Sequence, residues 1–206
     1  MIILKDEHYI AEGLIRKCYH HPNDTNLCVK IGKKGVDKYV LYKEIEYFHR
    51  IRNKDISKFD YPFYAKFFGE IETNLGIGFV YELIKDEKNQ KISLTLRDYL
   101  EMETSPFSDA ILAEALNRMK EHLIKHKIFI SDLKARNLCC KVLEDNSIEL
   151  IIIDGLGHRD FLPFADYISY FAKKKVERRF EKSAFTTLDE QRKLLKSLRD
   201  AGVAIV

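Results

Sequence analysis

Over the first third of the chain, apolar residues come in short runs separated by polar turns. Tyr9-Ile10-Ala11 precedes Glu12-Gly13, Arg16-Lys17-Cys18-Tyr19 follows, and Leu27-Cys28-Val29-Lys30-Ile31 is closed by Gly32. His21-Pro22-Asn23-Asp24 is a turn signal between them. These runs predict an antiparallel meander. From about Val36 to Ile51 the period changes: Leu41, Ile45, Phe48 and Ile51 recur at steps of four, three and three, which predicts a helix. Phe67 to Glu72 and Gly78 to Glu82 predict a hairpin through Thr73-Asn74-Leu75-Gly76.

The character then shifts. Lys85 to Gln90 is charged and marks the best boundary between two lobes, residues 1–84 and 85–206 of a single domain. A short helix is predicted over Leu94 to Leu100. A longer one starts near Ser105-Pro106 or Ser108, where a serine can cap the first free N–H groups, with Leu112, Leu116, Met119 and Leu123 as its buried stripe. Leu138 to Val142 and Glu149 to Ile153 predict a second hairpin around Glu144 to Ser147, ended by Asp154-Gly155. The remainder reads as mostly helical. Cys139 and Cys140 are neighbours on a strand, so one is expected to point inward and the other outward.

Composition narrows the class. At 206 residues, with 46% apolar and 33% charged positions, a sizeable core is possible and disorder is not the default. A net charge of +3 is far from the basicity of a dedicated nucleic-acid binder. The four cysteines form no C-x-x-C pair, which argues against a disulfide framework or a zinc site built on cysteine, and the seven histidines show no metal spacing. The N-terminal MIILKDEHYI lacks a basic region followed by a long apolar stretch, and no apolar run approaches the ~20 residues that span a bilayer. The expected setting is a cytoplasmic protein.

Candidate chemistry lies in Asp132-Leu133-Lys134-x-x-Asn137 and in Asp154-Gly155 after an apolar strand. Phosphoryl transfer needs a carboxylate to orient the attacking hydroxyl, oxygen ligands for Mg²⁺, and a cation on the phosphates. Asp132 can be the first carboxylate, while Asn137 and Asp154 can supply oxygens to a metal that prefers few carboxylates. Upstream, Lys30 on its apolar strand needs a partner. Glu44 lies beside the buried stripe of the following helix and is the favoured partner; Glu46 competes from a more exposed face. Taken singly, Asp132 and Asn137 can be turn caps and Lys30 a snorkelling side chain.

In that order, Lys30, Glu44, Asp132-x-x-x-x-Asn137 and Asp154-Gly155 resemble the protein-kinase-like fold over most of residues 9 to 160. More finely, Gly13-x-x-Arg16-x-Cys18-Tyr19-x-His21-Pro22, Cys28-Val29-Lys30-Ile31 and Ser131-Asp132-Leu133-Lys134 are similar to the YrbL proteins of the PhoP regulatory network, small bacterial kinase-like proteins. The resemblance implies an α+β, two-lobed fold with a small antiparallel-sheet N-lobe and a truncated, mostly helical C-lobe. It implies Asp132 as catalytic base, Lys134 offsetting charge on the transferring group, Lys30 on the phosphates with Glu44 holding it, and Asn137 and Asp154 on Mg²⁺. Val80-Tyr81-Glu82 would lie against adenine through backbone groups. A single glycine, Gly13, stands in the phosphate-covering loop, and Arg16 is the side-chain donor that compensates. Asp154-Gly155-Leu156 replaces Asp-Phe-Gly, no Ala-Pro-Glu follows, and only 52 residues remain after Asp154.

The expected activity is ATP- and Mg²⁺-dependent phosphate transfer to a hydroxyl of a protein, sugar or small molecule. The alternatives are a nucleotide-binding regulator without turnover and an AMP transferase. From Lys173 onward the chain carries ten basic and five acidic residues. That basic tail is either a solvated helix face or the docking place of an anionic acceptor.

Overall fold

A computed structural model describes residues 1–52, 63–157, 169–182 and 192. The chain divides into two compact units, Met1–Lys85 and Asp86–Ile205.

The first unit is the meander with its helix. Strands β1 (Tyr9–Glu12), β2 (Arg16–His21), β3 (Asp24–Gly32), β4 (Phe67–Thr73) and β5 (Gly76–Glu82) form an antiparallel sheet in the order β1-β2-β3-β5-β4. Strand β3 begins three residues earlier than its apolar run, because the Pro22-Asn23 turn is tight enough to pair His21 with Asp24. Alternation then sorts the side chains. Tyr19, Val29 and Ile31 cluster with Leu4 on one face, with Ile2 and Ile71 packed against them. Helix α1 (Lys38–Arg52) covers the other face: Phe48 meets the rings of Tyr64, Phe67 and Tyr81, and Tyr42 meets Phe79. The fit is close at Gly32, where a Cβ would stand 2.5 Å from Leu41 Cδ1. Tyr81 and Phe79 are each 1% exposed, and burying such a ring contributes about 1.5–3 kcal/mol as an upper figure.

The second unit begins with a clamp. Asp86 Oδ1 accepts from Ser93 Oγ at 2.7 Å and from the Val142 N–H at 3.1 Å, so the charged loop closes on its own unit's hairpin. Glu87 accepts from Lys141 and from the Glu144 N–H, which holds its carboxyl below the usual range. The hairpin is β6 (Leu138–Val142) with β7 (Ile148–Ile152). Helix α2 (Leu96–Glu101) packs on β6, and α3 (Asp109–His126) packs on β7. Thr95 and Asp98 form a capping box at the start of α2, and Ser108 caps α3. The buried stripe of α3 is Leu112, Ala115, Leu116, Met119 and Leu123.

Helices on both strands correct one expectation. Cys139 and Cys140 are both buried: α2 packs on their strand, α3 packs on the strand beside it, and the Cys139 thiol donates to the Ser93 carbonyl at 3.7 Å. Helix α4 (Ser169–Lys182) packs on α3 with Val176 buried. The predicted helical remainder at 158–168 and, apart from Arg192, at 183–206 lies outside the described residues. Arg192 itself reaches Asp109 Oδ1 through Nε and Nη2 at 2.9 and 2.7 Å. The architecture is α+β with antiparallel sheets. Among the described residues no helix is long and apolar enough to cross a membrane.

Candidate functional site

Each unit carries a polar group of its own. In the first, the turn after β1 closes when the Gly13 N–H donates to the Arg16 carbonyl at 2.9 Å. Arg16 opens β2 opposite Gly32, the last residue of β3. Its Nη2 donates to Glu44 Oε2 on α1 at 2.6 Å, and both side chains are more than nine-tenths buried. Glu44 therefore gives its carboxylate to Arg16, the side-chain donor expected to compensate in the phosphate-covering loop. Lys30, the partner expected from sequence, is also buried, with Nζ 4.5 Å from the centroid of the Tyr81 ring. Glu46, the competing partner, is exposed. Glu82 ends β5 with its backbone engaged: its N–H donates to the Lys66 carbonyl at 2.9 Å, and its carbonyl accepts from the Cys28 thiol at 3.9 Å.

In the second unit, residues far apart in sequence are tied through the main chain. The Gly155 carbonyl accepts from the Ser131 N–H at 2.7 Å, from Ser131 Oγ at 3.0 Å and from the Asp132 N–H at 3.3 Å. Gly155 has φ +82°, and a Cβ there would stand 2.8 Å from the Asp132 carbonyl oxygen. Only glycine accommodates both conditions. Asn137 Nδ2 donates to the Asp132 carbonyl at 2.9 Å and to Asp132 Oδ2 at 3.2 Å. The Asn137 carbonyl accepts from the Ile153 N–H at 2.9 Å. Lys134 Nζ lies 3.3 Å from Asp132 Oδ1. Asp154, two residues beyond β7, accepts the Gly155 N–H on Oδ1 at 2.7 Å. Asp132, Lys134, Asn137 and Asp154 thus belong to one bonded group.

Sequence reasoning missed two things. Arg16 and Glu44 are 28 positions apart. Alternation puts Arg16 and Lys30 on one face of the sheet and does not say which of them takes Glu44. The second miss is a ring contact: His122 and His126 stand one turn apart on α3 with ring centroids 4.3 Å apart. Among the described residues, no three or more His, Cys, Asp or Glu side chains gather to hold a metal.

These features define an α+β protein of two compact units, one holding a buried ion pair on a sheet and the other an acidic loop locked to a hairpin. A family model described as PhoP regulatory network protein YrbL matches residues 2–187. The uncharacterized protein YrbL of Escherichia coli (strain K12) is 30% identical over 183 residues, covering 86% of this chain and 84% of that protein. The protein of the same name from Shigella flexneri matches to the same extent. The chain belongs to the YrbL family.

Proposed function

We propose that the protein is an ATP- and Mg²⁺-dependent phosphotransferase with a kinase-like two-lobed fold, acting on a hydroxyl group. The observation that carries the reading is the Gly155 lock, which holds Asp132, Asn137 and Asp154 in one group. Asp132 is one-third exposed at its side chain, so a hydroxyl can reach it. It takes the proton as the hydroxyl oxygen attacks the terminal phosphorus, and ADP leaves. Lys134, half exposed beside it, offsets charge on the transferring group.

The donor set suits a hard cation. With Nδ2 given to Asp132, the amide oxygen of Asn137 is the end left for a metal, and the Asp154 carboxylate is the second protein oxygen. Mg²⁺ bound there with the nucleotide neutralises phosphate charge. On the first unit, Gly13, Arg16, Lys30, Glu44 and Glu82 are the nucleotide-binding residues of this reading. Exposed Lys173, Lys174 and Arg178 on α4 favour an anionic acceptor.

A regulator that binds nucleotide without turnover is the second reading, and the Arg16–Glu44 pair favours it, because the Glu44 carboxylate is bonded to Arg16 rather than to the lysine that the catalytic reading assigns to it. A Mg²⁺-dependent thermal-shift screen across nucleotides tests the site. ATP at a hundred times its Kd stabilises by about 2.7 kcal/mol, and Asp154→Ala loses the metal-dependent part. Absence of any nucleotide shift rejects both readings. Transfer by the wild type that Asp132→Ala abolishes selects the enzyme, and the mass added to the acceptor separates phosphate from AMP.

A further inference from the structure

The buried pair between Arg16 and Glu44 joins two elements that the nucleotide-site reading treats separately. Arg16 is the closing residue of the Gly13 turn, since its carbonyl takes the Gly13 N–H. Glu44 sits midway along α1, three residues after Leu41, which packs onto the backbone of Gly32. Gly32 is in turn the register partner of Arg16. The turn, the end of β3 and the first half of α1 therefore meet within a few side chains.

A guanidinium bonded to a carboxylate at 2.6 Å and buried with it has little room to turn, and its five N–H donors keep the directions of a rigid fork. We infer that Glu44 is a positioning residue that acts through Arg16, so that the seating of α1 and the phosphate grip of the Gly13 turn form one coupled element. The inference rests on the nucleotide-site reading and adds its regulation: whatever loosens α1 weakens phosphate binding, and phosphate binding tightens α1. Coupling of this kind is reciprocal.

Hydrogen exchange on the full chain, with ATP and with adenosine at saturating concentrations, tests it. In the wild type, ATP slows exchange at the Gly13–Arg16 turn and along α1, and adenosine slows neither. Glu44→Gln lowers ATP affinity about tenfold, leaves adenosine affinity unchanged, and removes the ATP effect on α1. Arg16→Lys, which keeps the charge, restores part of the ATP preference that Arg16→Met loses. Equal protection of α1 by ATP and adenosine in the wild type overturns the inference, and so does an unchanged ATP-to-adenosine ratio in Glu44→Gln. The wild-type comparison stands alone if the variants do not fold. Failure of the wild type to bind either ligand rejects the nucleotide-site reading itself, and the inference with it.

Discussion

The two units hold their polar groups by opposite means. In the first, strands and helix supply positions and a side-chain ion pair supplies the bond: Arg16 and Glu44 meet at 2.6 Å inside the unit, with Lys30 over Tyr81 on the same sheet face. In the second, the main chain supplies both. The Gly155 carbonyl collects Ser131 and Asp132, and Asn137 and Ile153 close the remaining links. The first group rests on a buried pair of charges, and the second on main-chain hydrogen bonds around one glycine.

The largest effect is expected where charge is buried. Arg16→Met leaves the Glu44 carboxylate buried alone and costs about 3–5 kcal/mol. Arg16→Met with Glu44→Leu removes both charges and recovers most of that loss. Urea unfolding of the single and double variants reads the difference. A double variant as unstable as the single one shifts the cause from charge to packing.

Next comes Gly155→Ala. Its Cβ meets the Asp132 carbonyl oxygen at 2.8 Å from a residue at φ +82°. Left-handed strain and overpacking together cost about 2–4 kcal/mol. Gly69→Ala is the control, with φ +126° and nothing within 4 Å of its Cβ, so that strain acts without a collision. Equal losses at the two positions would remove the role given to the Asp132 contact.

The second group was the more legible in sequence, and for a physical reason. Asp132, Lys134 and Asn137 lead into β6 and Asp154-Gly155 follow β7, so pairing of the two hairpin strands brings both segments to one end. The meander, both hairpins and the stripe of α3 were readable from period alone. The Arg16–Glu44 bond was not, because it spans strand and helix, and nothing local ranks Arg16 above Lys30 as the partner. Burial of both Cys139 and Cys140 was hidden too, since strand alternation cannot show that α2 and α3 cover both strands of the hairpin.

A smaller effect separates the units at alkaline pH. Burial pushes Tyr64 in the first unit and Tyr99 in the second up to about 12 from the ordinary 10.0. A raised folded value means that each contributes stability present in full below pH 10 and lost as pH rises through about 12. Tyr99 also feels the charges of Asp86, Cys140 and Asp98, whereas burial is the sole cause at Tyr64. Added salt therefore lowers the tyrosinate midpoint of Tyr99 and leaves that of Tyr64 in place. Phe variants assign the two absorbance steps. An equal salt response at both sites contradicts the distinction.

The smallest stability change is expected at Gly13, which sets the turn glycine of the first unit against the lock glycine of the second. Its backbone is not in the left-handed region, and a Cβ would meet nothing nearer than the Arg16 carbonyl at 4.0 Å. The fold therefore does not require glycine here, and Gly13→Ala changes unfolding free energy by less than about 0.5 kcal/mol. If phosphate groups approach this turn, the added methyl still lowers ATP affinity severalfold while adenosine affinity holds, because backbone approach to an anion is sensitive to any side chain. Urea unfolding and nucleotide titration of the same variant read the two quantities together. Unchanged affinity would remove Gly13 from the site, and a large loss of stability would mean that the first unit, like the second, rests on a glycine.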